Sequence, residues 1–246
     1  MTNSGNIKPK KSKISSSLGH HYLPEIVYGG IDGAITTFAV VAGATGAQAG
    51  YFYVLIFGFA NLIADGFSMS VGNFFSTRSA KEKIDKIRSR KSGHILTDGK
   101  NEKDSIREIY KAKGLSGKVL DEVVETITSD RKVWLDTLMK EKLEITKDEK
   151  SPVKTAVATF ISFFMIGLIP LSSYLIKTFT ELKENSLFLI ACIATGVALI
   201  IIGYFKSKVN EKRIMKGIIE TLLLGGFAAL LAYLAGGFLG DLLLNH

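Results

Sequence analysis

The stretch that decides the fold is residues 51–75, YFYVLIFGFANLIADGFSMSVGNFF. It is long enough to cross a bilayer, which takes roughly 20 predominantly apolar residues in a helix. Its one carboxylate is Asp65, and it carries no Lys, Arg or His. Asn61, Asp65 and Met69 follow one another at four-residue spacing, and residues i and i+4 share a helix face. A polar stripe inside an apolar span is costly, so it asks for a reason.

Four more segments read the same way: about 26–46, 155–178, 186–205, and 214–234 with a continuation towards 244. The composition fits. The 246 residues are 47% hydrophobic and 22% charged, with a mean hydropathy of +0.24. Both features coexist only if charge is segregated from apolar sequence, as in a membrane protein with an aqueous insert. The net charge of +8 suits either nucleic-acid binding or basic cytoplasmic loops. The basic residues flank the apolar runs, which favours the loops and excludes nucleic acid as a partner. The lone Cys192 offers no disulfide and no CxxC metal pair. It reads as a packed or lipid-facing thiol.

The expected fold is therefore all-α: a polytopic membrane protein with five transmembrane helices and a small helical cytoplasmic insert between helices two and three. Residues 1–23 form a basic leader (Lys8, Lys10, Lys11, Lys13) and 24–75 the first two spans. Residues 76–154 form the insert and 155–246 the last three spans. The first run is too long for a signal h-region and reads as a retained span. The 206–216 link carries Lys206, Lys208, Lys212, Arg213 and Lys216 against Glu211. The positive-inside rule then places the N-terminus, the insert and this link in the cytoplasm, and Asn245 and His246 on the far side.

Within the insert, Ile106, Ile109 and Tyr110 predict a helix over 104–112 that Gly114 ends. Val119, Val123, Val124 and Ile127 predict a second helical stripe, and Trp134, Leu135, Leu138 and Met139 a third. The basic stretch 81–91 predicts a helical continuation of the second span beside the anionic leaflet.

Intramembrane ionisable groups default to functional candidates. Here they are Asp32, Asp65 and Glu220. Asp65, Asn61, Ser68 and Met69 on the second span, facing Asp32 and Thr36 on the first, would present carboxylates, hydroxyls, an amide and a thioether to one cavity. Oxygen ligands suit hard divalent cations, and a thioether tilts preference towards Fe²⁺, Co²⁺ or Mn²⁺. Small and polar residues also pack membrane helices, which is the favoured reading for Gly29, Gly30, Gly33, Gly66 and Gly72. Asp65 has a second reading as a cap beside Gly66. Glu220 is either a proton-relay or gating group or an interhelical tie. The insert's carboxylates read from spacing as a solvated charged surface.

Residues 27–43, VYGGIDGAITTFAVVAG, resemble the first-span signature of the vacuolar iron transporter family, and 64–72, ADGFSMSVG, resemble its second-span motif. Partial similarities continue through Thr128-Ser129-Asp130 with Trp134 and Met139, Ile169-Pro170-Leu171, and Gly225-Gly226. The resemblance implies export of Fe²⁺, often also Mn²⁺, from the cytosol to a vacuole or across the cell membrane, in exchange for protons. It implies a homodimer whose pathway lies near the first two spans. The family's span-one carboxylate falls on Asp32 and its span-two methionine on Met69. Its insert binds metal, and Glu102, Asp104, Glu108, Met139 and Glu141 fall on or beside those positions.

The chain departs from the family pattern in three places. Asn61 stands where many members carry a glutamate, Ser105 interrupts the acidic run, and Lys142 replaces an acid. The expectation is a transporter of Fe²⁺ or Mn²⁺ with no tightly bound cofactor. Its partners would be a divalent transition-metal ion, protons, the lipid bilayer and a second copy. The alternative is a membrane-anchored metal-binding, signalling or scaffold protein without transport. A membrane-bound oxidase is disfavoured, because His94 is the insert's only histidine and lacks a Glu-x-x-His partner.

Overall fold

The computed structural model describes residues 21–145 and 150–244, so residues 1–20 of the basic leader, with all four of its lysines, and the C-terminal Asn245-His246 lie outside the described residues. The described residues form eight α-helices: α1 Leu23–Gly46, α2 Tyr51–Thr97, α3 Gly99–Ala112, α4 Gly117–Ser129, α5 Arg131–Thr137, α6 Pro152–Lys177, α7 Glu184–Val209 and α8 Ile214–Leu244. A π-helical turn, Leu138–Lys142, follows α5. Five of the helices, α1, α2, α6, α7 and α8, are long and apolar enough to cross a membrane. The protein is all-α and polytopic, as its hydropathy requires.

The chain divides into two compact units. Residues 75–151 form one, and the described residues before and after them form the other. In the membrane unit α1 packs against α6, α7 and α8. Pro24 starts α1 at a position where its missing N–H costs nothing. Gln48 ends it: its φ of 55° turns the chain left-handed, and the Ala49 N–H closes on the Ala44 carbonyl at 2.9 Å. The core of this unit is Val41, Val54, Leu55, Leu62, Phe163, Leu171, Tyr174, Leu187 and Ala191.

The insert has its own core of Ile95, Ile106, Leu120, Val124, Leu135, Leu138 and Met139. The second span runs on as helix through the basic stretch to Thr97. Helix α3 begins at Gly99, earlier than its apolar stripe, and Gly114 ends it with a left-handed φ of 95°. The Asp130 carboxylate caps α5, accepting from the Lys132 and Val133 N–H groups at 2.7 and 3.2 Å. One stripe is corrected. Val119 is exposed, and Leu120 takes the buried position instead. A short amphipathic helix with apolar residues on both sides of its face leaves the phase open by one position.

Candidate functional site

Phe163 of α6 is fully buried, and two glycines close on it from different helices. A Cβ on Gly33 of α1 would collide with the Phe163 carbonyl, and a Cβ on Gly66 of α2 would stand 3.0 Å from its ring. The residue before each glycine is an aspartate. Asp32 is half-buried and Asp65 exposed, and the Asp65 charge acts directly on Asp32. Among the described residues no Lys, Arg or His pairs with either carboxylate. Two neighbouring carboxylates inside an apolar span repel unless a cation or protons neutralise them.

Thr36 is half-buried one turn above Asp32, and its hydroxyl donates to the Asp32 backbone carbonyl at 2.9 Å. Its lone pairs remain available as acceptors. Asn61 is half-buried, and its Nδ2 is buried with no hydrogen-bond partner. Met69 is half-buried against the core of the membrane unit, while Ser68 is exposed. The packed face of α2 runs through Gly58, Leu62 and Gly66. The Asn61–Asp65–Met69 stripe is therefore an edge of that face: Asn61 and Met69 turn partly inward, and Asp65 and Ser68 turn outward.

The glycines behave as packing residues at 29, 30, 33 and 66. Gly72 is the exception, with nothing within 4 Å of an added Cβ. Polar contacts that the sequence reading did not single out tie α2 to α6. The Asn73 amide donates to the Thr159 hydroxyl at 2.8 Å, and the Ser70 hydroxyl to the Ala156 carbonyl at 2.9 Å. Both occur at four-residue steps from Gly66 or its neighbours, which is the signal that could have found them.

Glu220 of α8 accepts from Lys206 of α7 at 2.9 Å. It ties the two helices at the end that carries the basic link.

The insert does not gather the residues that the family resemblance points to. Glu102 is only 6% exposed. Its Oε1 accepts from Lys91 at 2.7 Å and lies 3.8 Å from His94 Nδ1; its Oε2 makes no hydrogen bond but faces Lys142 Nζ at 3.6 Å. Burial raises the Glu102 carboxyl, but the Lys91 bond and the charges of Lys142, Lys91 and His94 outweigh it and hold the group below the ordinary glutamate range. Glu141 pairs with Lys113, whose hydrogen bond lowers it likewise. Met139 is buried in the apolar core, and Asp104 and Glu108 are exposed. Among the described residues no three His, Cys, Asp or Glu side chains come together. These residues do not fit a metal ion held by the insert.

A family model described as the VIT family matches residues 23–237 of the chain. The chain is 31% identical over 224 residues to a vacuolar iron transporter of Toxoplasma gondii, a match that covers 89% of the chain and 74% of that relative. It is 31% identical over 226 residues to a vacuolar iron transporter of Plasmodium berghei, covering 89% and 83%. It is 28% identical over 237 residues to vacuolar iron transporter 1 of Oryza sativa subsp. japonica, covering 92% of each.

Proposed function

Because this chain belongs to the VIT family, we propose that it carries Fe²⁺, and Mn²⁺ by the same route, out of the cytosol in exchange for protons. It is an integral membrane protein of a metal-ion transporter family and not an enzyme. The observation that carries the finer reading is the pair Asp32 and Asp65: the charge of the second bears on the first, and neither has a cationic partner among the described residues. A divalent ion between them satisfies both charges, and so do protons. Metal ligands must be ionised to bind, so cation and protons compete for the same oxygens. That competition is a physical route to exchange. Met69, at the edge of the same face, adds the soft ligand that distinguishes Fe²⁺ and Mn²⁺ from Mg²⁺ and Ca²⁺. Thr36, Asn61 and Ser68 complete the polar lining on either side.

The same face supports a homodimer. Asp65 and Ser68 are exposed on α2 among the exposed aromatics Phe57 and Phe67. A charge facing lipid at the helix centre costs about 2.5–3.5 kcal/mol on insertion scales. A second copy of α2 would cover it and enclose the pathway. On the positive-inside rule the insert lies on the cytosolic side, and Glu220, which accepts from Lys206 of α7, is the group this reading gives a gating role.

The test is Fe²⁺ uptake into proteoliposomes with and without an opposing pH gradient. The gradient should accelerate uptake, and Asp32→Ala should abolish it. Undiminished uptake in that variant would remove the assigned pathway.

A further inference from the structure

The buried carboxylate of Glu102 is surrounded by the chain's own cations. Lys91, from the end of α2, is largely buried and bonded to Oε1 at 2.7 Å. Lys142, from the π-helical turn, faces Oε2 at 3.6 Å. The same Lys142 ammonium donates to the Ser105 hydroxyl at 2.7 Å, and that hydroxyl donates on to the Asn101 carbonyl at 3.0 Å. Ser105 and Lys142 are remote in sequence, yet the Ser105 hydroxyl holds the Lys142 ammonium that faces Glu102. One negative charge thus lies against two ammonium groups, with His94 beside them. A divalent cation approaching Glu102 would be repelled by both lysines, and the second oxygen, the one without a hydrogen bond, points at one of them. Of the other donors, Met139 is in the apolar core, Glu141 is bonded to Lys113, and Asp104 and Glu108 are exposed.

We infer that the insert is closed by an internal ammonium lock: Lys91 and Lys142 occupy the buried carboxylate of Glu102 in place of a metal ion, and the insert folds without divalent metal. The lock joins the end of α2 and the helix that follows it, α3, to the π turn, which is remote from both in sequence. Charge compensation of a buried carboxylate is what a structural cation would otherwise supply. Here covalently attached cations supply it at all times, so the insert's fold is independent of cytosolic metal concentration.

The test uses the full-length protein in detergent with Asp32→Asn and Asp65→Asn, so that bound metal is not owed to the transmembrane pair and the result does not depend on transport. Bound Mn²⁺ is counted by electron paramagnetic resonance. Unfolding of the insert is followed by the emission of Trp134, the chain's one tryptophan, which packs on the insert core. The background protein should bind no Mn²⁺ in the insert, and its Trp134 melting curve should be the same in Mn²⁺ and in EDTA. Adding Ser105→Glu and Lys142→Glu should create a site for about one Mn²⁺ per chain, with a Trp134 melt that rises on adding metal. If the doubly acidic variant is unfolded by Trp134 emission, Lys142→Gln carries the test, with a gain in Mn²⁺ binding expected. Mn²⁺ bound by the background protein and lost on Glu102→Gln would overturn the lock. So would folded variants that gain no Mn²⁺, because Lys142 would then not be what keeps cations out.

Discussion

Asp32 of α1 and Asp65 of α2 each precede a glycine that closes on Phe163 of α6, Gly33 on its carbonyl and Gly66 on its ring. The glycines set how closely the helices approach. Replacing either aspartate with asparagine removes one charge and breaks no observed ion pair. Asp32→Asn and Asp65→Asn should each lower Fe²⁺ transport by ~10–100-fold, the range lost when groups around a metal ligand are altered, with little change in melting temperature. The double variant should lose little more than either single one, because the two act as a unit. Initial rates of uptake at one protein density check this.

Close approach at Gly33 is a packing requirement. Gly33→Ala places a methyl against the Phe163 backbone carbonyl, which cannot swing aside. Overpacking of this kind costs typically 1–3 kcal/mol, and thermal unfolding in detergent should show it. Gly72→Ala meets nothing within 4 Å. It should be neutral or slightly stabilising, since alanine is the better helix former.

The outward face of α2 predicts where two copies meet. In a Cys192→Ala background, Ser68→Cys should form a disulfide-linked dimer on mild oxidation in membranes. Val197→Cys, on the exposed face of α7, should remain a monomer on a non-reducing gel. Crosslinking at 197 but not at 68 would place the interface elsewhere.

Acid should loosen the insert in a defined sense. The folded Glu102 carboxyl lies below the ordinary glutamate range, because the Lys91 bond and the neighbouring cations outweigh burial. A depressed folded value means stability that is fully present above the unfolded value, near about 4.3. It is lost as pH falls through the lower folded value. Trp134 emission should therefore show the insert weakening below about pH 4, and Glu102→Gln should remove that part of the acid dependence.

Hydropathy made the five spans legible, because about 20 apolar residues per crossing is a constraint few sequences meet by accident. Mean hydropathy alone could not carry α2 past the apolar run, since a charged helix and a charged loop differ little in it; the basic stretch 81–91 pointed to that continuation, which reaches Thr97. Asp32 and Asp65 stood out because charge in a span is expensive. The phase of α2 did not: polar spacing suggested a face centred on Asp65, whereas Gly58, Leu62 and Gly66 hold the packed face and leave Asp65 outside. Small residues, not polar ones, mark where membrane helices touch. In the insert, Ser105 and Lys142 registered only as separate departures from an acidic pattern. The bond between them, and the approach of Lys142 to Glu102, depend on tertiary contacts that no local spacing encodes.

The most direct test of the exchange reading is simultaneous measurement of Fe²⁺ entry and proton exit in proteoliposomes loaded with a pH-sensitive dye. Each burst of Fe²⁺ uptake should be accompanied by an opposing proton flux, and both should fall together in Asp32→Asn. Fe²⁺ uptake with no accompanying proton movement, or uptake undiminished by the loss of Asp32, would contradict exchange at this site.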